Sequence, residues 1–252
     1  MVPRSLPRVL RRPRRVALVL GLLLLTAVLG EAHVVLDGQT VQPLLLDIAR
    51  YLKEARDGAS EDARLEALYG LGERAQSLSD LMNLDVTSHG QSLYADLLVR
   101  RLQEYGIRIR RVERNMRYVY DMAAFQEYLK RSPRGKRAAE ASFRVMAQAF
   151  YGSVGANPAD LVDIDVDQLQ KAILREEAFI KDYPRFDNVK DVRFFLAMDY
   201  YRLSRHSRDP ATARKYEQRA AHALTELLRE YPGTAEARAA EVILEALTAQ
   251  GR

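Results

Sequence analysis

Apolar residues recur every three or four positions along most of this chain, and polar stretches containing Gly, Pro or Asp interrupt them, a pattern that predicts helices joined by turns. Residues 33–42, with Val34-Val35-Leu36 before the turn signal Asp37-Gly38, read as an extended leader. From Pro43, a favoured first helical position, Leu45, Ile48, Ala49, Leu52 and Ala55 mark a helix that Asp57-Gly58 stops. Ser60 caps the next helix, with Glu61 and Asp62 near its positive end and Leu65, Leu68, Tyr69, Leu71, Ala75, Leu78, Leu81 and Met82 on its apolar side. Gly70 and Gly72 each lower helix propensity by about 1 kcal/mol relative to Ala, so their expected use is the close approach of a neighbouring helix. Residues 83–90 read as a loop. Leu93, Leu97, Leu98, Leu102 and Tyr105 make a third helix that Gly106 ends, and Ile109, Val112, Met116, Val119, Ala123 and Tyr128 predict a long one reaching Ser132-Pro133. Ala138, Ala141, Val145, Ala149 and Phe150 form another, before a loop over residues 152–160. No later segment sustains period-two alternation, so strands should be few.

The second half repeats a phrase. Phe179-Ile180-Lys181-Asp182-Tyr183-Pro184 and Leu227-Leu228-Arg229-Glu230-Tyr231-Pro232 each close one helix and lead into another. Pro133 supplies a weaker third copy, so Pro133, Pro184 and Pro232 fall at spacings of 51 and 48 residues. Aligned on the prolines, Tyr128, Phe179 and Leu227 coincide, as do Phe143, Phe194 and Val242. Proline cannot continue a helix interior, so it fixes a corner between paired helices, and such pairs need to stack to bury their apolar faces. The corner, with Ala220, Leu224 and Leu227 before Pro232, resembles the tetratricopeptide repeat, lengthened from its usual period of about 34 residues. The run from Phe179 to Asn188, then Phe194-Phe195-Leu196-Ala197-Met198, Arg208-Asp209-Pro210 with Ala213-Arg214, and the second Tyr-Pro phrase are similar to the lipoprotein D subunit of the bacterial β-barrel assembly machinery. That resemblance implies a right-handed all-α solenoid of stacked antiparallel helix pairs, acting as a scaffold in a Gram-negative envelope. The expected organisation is a signal peptide over residues 1–32, the leader, an N-terminal helical region over 43–131 and repeats over 132–252.

The first 32 residues carry Arg4, Arg8, Arg11, Arg12, Arg14 and Arg15 ahead of the apolar run Val16 to Leu29, with small residues at Gly30 and Ala32. Fourteen residues span roughly 21 Å as a helix, short of the roughly 30 Å hydrocarbon core, so cleavage before His33 is favoured and an inner-membrane anchor through residues 16–29 is the alternative. The whole chain has 39 Lys+Arg and 34 Asp+Glu; without residues 1–32 it holds 33 of each. The basic balance thus belongs to the exported leader and gives no argument for nucleic acid. There is no Cys, which removes disulfides, thiolate metal sites, thiol nucleophiles and a lipid-modified N-terminal Cys.

Candidate chemistry is sparse. A free N-terminal His33 could bind copper but needs further ligands, and His89, His206 and His222 lack ligand spacing, so this copper or enzyme reading is the weakest. Asp160, Asp163, Asp165 and Asp167 invite calcium, yet Gln168 and Leu174 stand where the loop needs Gly and Glu, and capping of a helix by Asp167 is preferred. His222 with Glu226 reads as an ordinary helix pair. Ser153 lacks a nucleophile-elbow glycine, and Gly135-Lys136 lacks phosphate-loop spacing. No catalytic set, metal site or cofactor follows.

Two surfaces are candidates for contact. Residues 100–137 hold twelve basic residues, Arg108, Arg110, Arg111, Arg114 and Arg117 among them, against Glu104, Glu113, Asp121 and Glu127. They make either a docking face for anionic lipid head groups or an acidic partner, or a solvated face matched by acids elsewhere, the preferred reading. Tyr200, Tyr201 and Arg202 offer a hot-spot composition or, more simply, fill a seam between repeats. The expected function is that of a periplasmic, non-enzymatic scaffold contacting other envelope proteins, with docking to an anionic membrane surface as the alternative. Oligomeric state is left open.

Overall fold

A computed structural model describes residues 36–89, 93–112, 117–153 and 165–250. In chain order these form α1 (Gly38–Asp57), α2 (Glu61–His89), α3 (Leu93–Glu104), β1 (Ile109–Val112), β2 (Arg117–Tyr120), α4 (Ala123–Arg131), α5 (Ala138–Ser153), α6 (Val166–Asp182), α7 (Val189–His206), α8 (Pro210–Glu230) and α9 (Ala235–Gln250). The described chain is predominantly helical, as the periodicity predicts. The candidate signal at residues 1–32 and His33 lie outside the described residues.

Two compact units divide the chain, with the division inside α6 and α7. One contains α1 to α5, the hairpin and Leu174–Val192; the other contains α6 as far as Ile173 and the chain from Arg193 onward.

In the first unit, α1 begins earlier than expected. Asp37 accepts a hydrogen bond from the Thr40 amide at 2.8 Å, and the Thr40 hydroxyl accepts from the Asp37 amide, a capping box that starts the helix at Gly38. The leader reading therefore fails at residues 38–42, and Pro43 is not the first helical residue but the sixth, where it forgoes the hydrogen bond an amide would make to the Gln39 carbonyl. Leu36 is buried and donates its amide to Asp85 at 3.2 Å. Ser60 caps α2 by accepting from the Ala63 amide at 3.1 Å. Residues 83–89, expected as a loop, continue α2 instead, with Asp85 buried on the helix.

α2 is the central element of this unit, packing against α1, α4 and β2. Both of its glycines serve close approach: a Cβ at Gly70 would stand 2.6 Å from the Tyr51 ring, and one at Gly72 would stand 2.8 Å from Phe125. Gly106, at φ +77, ends α3 with a Schellman turn in which Ile107 donates to Leu102 O and Gly106 to Gln103 O, each at 3.0 Å.

The long helix expected over residues 109–131 is absent. β1 and β2 pair antiparallel, Ile109 opposite Tyr120 and Arg111 opposite Tyr118, and only then does α4 begin. The inward set is Ile107, Ile109, Tyr118, Tyr120 and Met122, all at or below 3% exposure, so a short alternation hidden inside a helical count decides the segment. Met122 adopts φ 60 before α4, whose first amides are met by Asp121, accepting from Ala123 at 3.0 Å, and by the Tyr120 hydroxyl, accepting from Ala124 at 3.0 Å.

Three proline corners share one geometry. The residue before each proline donates its amide to the carbonyl four positions back: Ser132 to Tyr128 at 2.8 Å, Tyr183 to Phe179 at 2.8 Å and Tyr231 to Leu227 at 3.0 Å. Those three acceptors are all buried, and so are Ala141, Val192 and Ala240, the residues eight beyond each proline. At the middle corner Phe186 packs on Phe143 and Phe179, with ring centroids 5.5 and 5.4 Å apart. In the second unit Leu169, Ile173, Tyr200, Leu203 and Ala220 form a core cluster, and Arg193 pairs with Glu230 at 3.2 Å. The cap of α6 is Asp165, accepting from the Asp167 and Gln168 amides at 3.0 and 3.2 Å, and not Asp167 as expected. Asp160 and Asp163 lie outside the described residues.

Candidate interaction surfaces

The basic stretch is held in place by α2, whose first two turns supply acids to α4 and the corner that follows it. Arg131 makes a forked contact with Glu61, its guanidinium reaching both carboxylate oxygens at 2.6 and 2.7 Å. The hydrogen bond from Arg131 is the main reason that the Glu61 carboxyl lies below its ordinary pKa. Arg137 stacks over Tyr69 at 5.0 Å and reaches Glu66 at 3.5 Å, while Lys130 meets Glu127 at 3.9 Å. Such exposed pairs are worth at most about 1 kcal/mol each, but they fix where these cations point.

On the hairpin, Arg111 faces inward and lies 3.7 Å from Asp96, and Arg108 lies 3.6 Å from Asp121. Arg117 is exposed at the start of β2. Arg110 is exposed on the outward face, beside Val119, with no ion-pair partner among the described residues. Arg114 lies outside the described residues. The twelve-cation stretch is therefore not one face: Lys130, Arg131 and Arg137 are matched by acids, two of them far away in sequence, whereas Arg100, Arg101, Arg110, Arg134 and Lys136 are exposed with no ion-pair partner among the described residues.

A side-chain clamp that sequence reading missed holds the hairpin to α2. Asn83 takes both backbone groups of Tyr118, accepting from its amide at 2.7 Å and donating to its carbonyl at 2.9 Å, and Ser79 donates to the same carbonyl at 2.8 Å. Two turns of helix thereby stand in for a third strand. The Tyr118 hydroxyl donates to Asp96 at 2.7 Å, tying in α3. Burial, with the Asp96 hydrogen bond second, pushes the Tyr118 phenol up to about 12, and burial pushes Tyr120 to about 12. The only signal for this clamp was an Asn and a Ser one helical turn apart on an apolar stripe.

The second candidate surface is internal. Tyr200 and Arg202 are 5% and 3% exposed, and Tyr201 is half-buried. Arg202 pairs with buried Asp199 at 2.8 Å, and Arg219 lies over the Tyr200 ring at 4.3 Å. Tyr200 and Arg202 are thus buried packing residues of α7. Pro133, Pro184 and Pro232 are all exposed at their corners.

Among the described residues there is no group of three or more His, Asp or Glu arranged to hold a metal, and no helix is long and apolar enough to cross a membrane. Compared with family models the chain matches none, and a comparison with curated proteins finds no match either.

Proposed function

We propose that this chain is an exported helical-repeat scaffold that works by protein–protein contact in a bacterial envelope, without catalysis. The observation that carries the reading is the triplicate corner: three helix pairs, each turned by the same hydrogen bond onto an equivalent buried residue. Repetition of one supersecondary unit is the mark of tetratricopeptide-like arrays, which present extended surfaces to partners. The resemblance of residues 179–240 to the β-barrel assembly lipoprotein supports the envelope setting, and the Arg-led apolar run at residues 1–32 supports export.

Affinity capture of the tagged chain from envelope fractions, after in-cell crosslinking, tests the scaffold reading. Recovery of a discrete envelope protein is expected. Recovery of none, or a mature chain found in the cytoplasm by fractionation, overturns it. Small-angle scattering of the soluble chain tests the solenoid, which requires an elongated particle.

A further inference from the structure

α3 carries an outer face that differs from the rest of the basic stretch. Its buried stripe is Ala95, Leu98 and Leu102, each at or below 4% exposure. At 100° per residue Leu97 points about 130° away from the middle of that stripe, and it is 61% exposed. Tyr94, 37% exposed, flanks it, and so do Arg100 and Arg101, both exposed and both without an ion-pair partner among the described residues. Glu104 lies at the C-terminal end of the face, and Tyr105, 50% exposed, follows in the turn. Of the apolar residues that mark this helix in the sequence, Leu98 and Leu102 are buried while Leu97 and Tyr105 face water. Between Asp96 and Asp121 the described residues hold six Arg against Asp96, Glu104 and Asp121, so the surroundings are cationic.

We propose that this face of α3 lies on an anionic lipid surface, with Leu97 and Tyr94 among the lipid groups and Arg100 and Arg101 on the head-group phosphates. Aromatic and aliphatic side chains beside arginines on one side of a helix are the composition of an interfacial contact. A helix of 12 residues is about 18 Å long, and one side of it falls well short of the roughly 800 Å² per partner that a stable protein interface buries. A lipid surface demands no such area and no shape match. It rewards a few inserted apolar groups and about 1 kcal/mol for each nearby arginine.

The full-length chain contains no Cys, so Leu97→Cys gives a single attachment point for a solvent-sensitive fluorophore. The labelled protein is mixed with vesicles of phosphatidylcholine alone or with phosphatidylglycerol added, and Leu174→Cys, at another site 65% exposed, is labelled as the reference. The expected result is a blue shift and protection from an aqueous quencher at position 97 only with phosphatidylglycerol, weakened by salt, and no shift at position 174. Adding Arg100→Glu with Arg101→Glu is expected to lower the apparent affinity at position 97 by about 30-fold or more. All these side chains are exposed, and far-UV circular dichroism checks that the fold is kept. The probe reports this face even when residues 1–32 hold the chain on the vesicle. The proposal is overturned if position 97 stays aqueous while the protein sediments with the vesicles, if the protein fails to bind anionic vesicles, if the shift survives both charge reversals, or if phosphatidylcholine alone produces it. The scaffold reading stands or falls separately, on the recovery of a protein partner.

Discussion

Gly72 and Gly106 are glycines for different physical reasons, and substitution separates them. At Gly72 a methyl group gains about 1 kcal/mol of helix propensity but meets Phe125, a ring with no exposure and no room to retreat. Gly72→Ala is expected to be destabilising by about 1–3 kcal/mol in urea unfolding, the usual cost of overpacking. At Gly106 nothing lies within 4 Å, so Gly106→Ala is expected to cost only the left-handed backbone penalty, about 1 kcal/mol. Asn83→Ala leaves the Tyr118 amide without its acceptor, and a loss of about 1–3 kcal/mol is expected by the same measurement. The two hairpin phenols set an alkaline limit. Their pKa values of about 12 exceed the ordinary value near 10, so the folded state holds protons that the unfolded state releases between those values. Stability is expected to fall as pH rises from about 10 toward 12, and less steeply for Tyr118→Phe. At the acid end Asp37 and Asp209 have lowered values, held down first by the hydroxyls of Thr40 and Thr212. Their contribution is present above the usual carboxylate range and is lost as pH falls through it, so Asp209→Asn, which still caps α8, is expected to give a shallower acid limb.

At the scale of elements, the corners divide the work between the proline and the aromatic or aliphatic residue five positions before it. Pro184 is exposed and only stops the helix, whereas Phe179 is 3% exposed and packs on Tyr183 and Phe186. Phe179→Ala is expected to cost about 3–5 kcal/mol and Pro184→Ala less than about 1, compared by thermal unfolding. The corners were legible because each combines a local stop with a local apolar anchor, and both signals lie within six residues. The hairpin was not, because Ile109, Val112, Val119 and Ala123 fit a helical count, while the inward alternation of Ile107 with Ile109 and of Tyr118 with Tyr120 is too short to stand out. What decided between them was Asn83, twenty-six residues before the hairpin, offering its amide to an open strand edge. The continuation of α2 past Met82 was hidden for a related reason. Asn83 and Asp85 look like loop residues until their partners, Tyr118 and Leu36, are in place.

For the molecule as a whole, charge carries the test of processing. The complete chain has a sequence isoelectric point near 9.4, while the chain without residues 1–32 has as many acids as bases. Isoelectric focusing of the protein isolated from cells is expected to find a species close to neutrality, and a species near 9.4 would mean that the leader is retained. The sequence by itself determined the helical class, the three corners, the C-terminal stops of α1 and α3 and the use of Gly70 and Gly72, because each follows from forces acting within a few residues. Only the tertiary structure decided which cations are matched, since Arg131 finds Glu61 across 70 residues. It alone decided that Tyr200 and Arg202 are interior and that Leu97 is not. A helix with two apolar stripes has no local reason to bury one above the other, and the choice falls to the neighbour that packs against it.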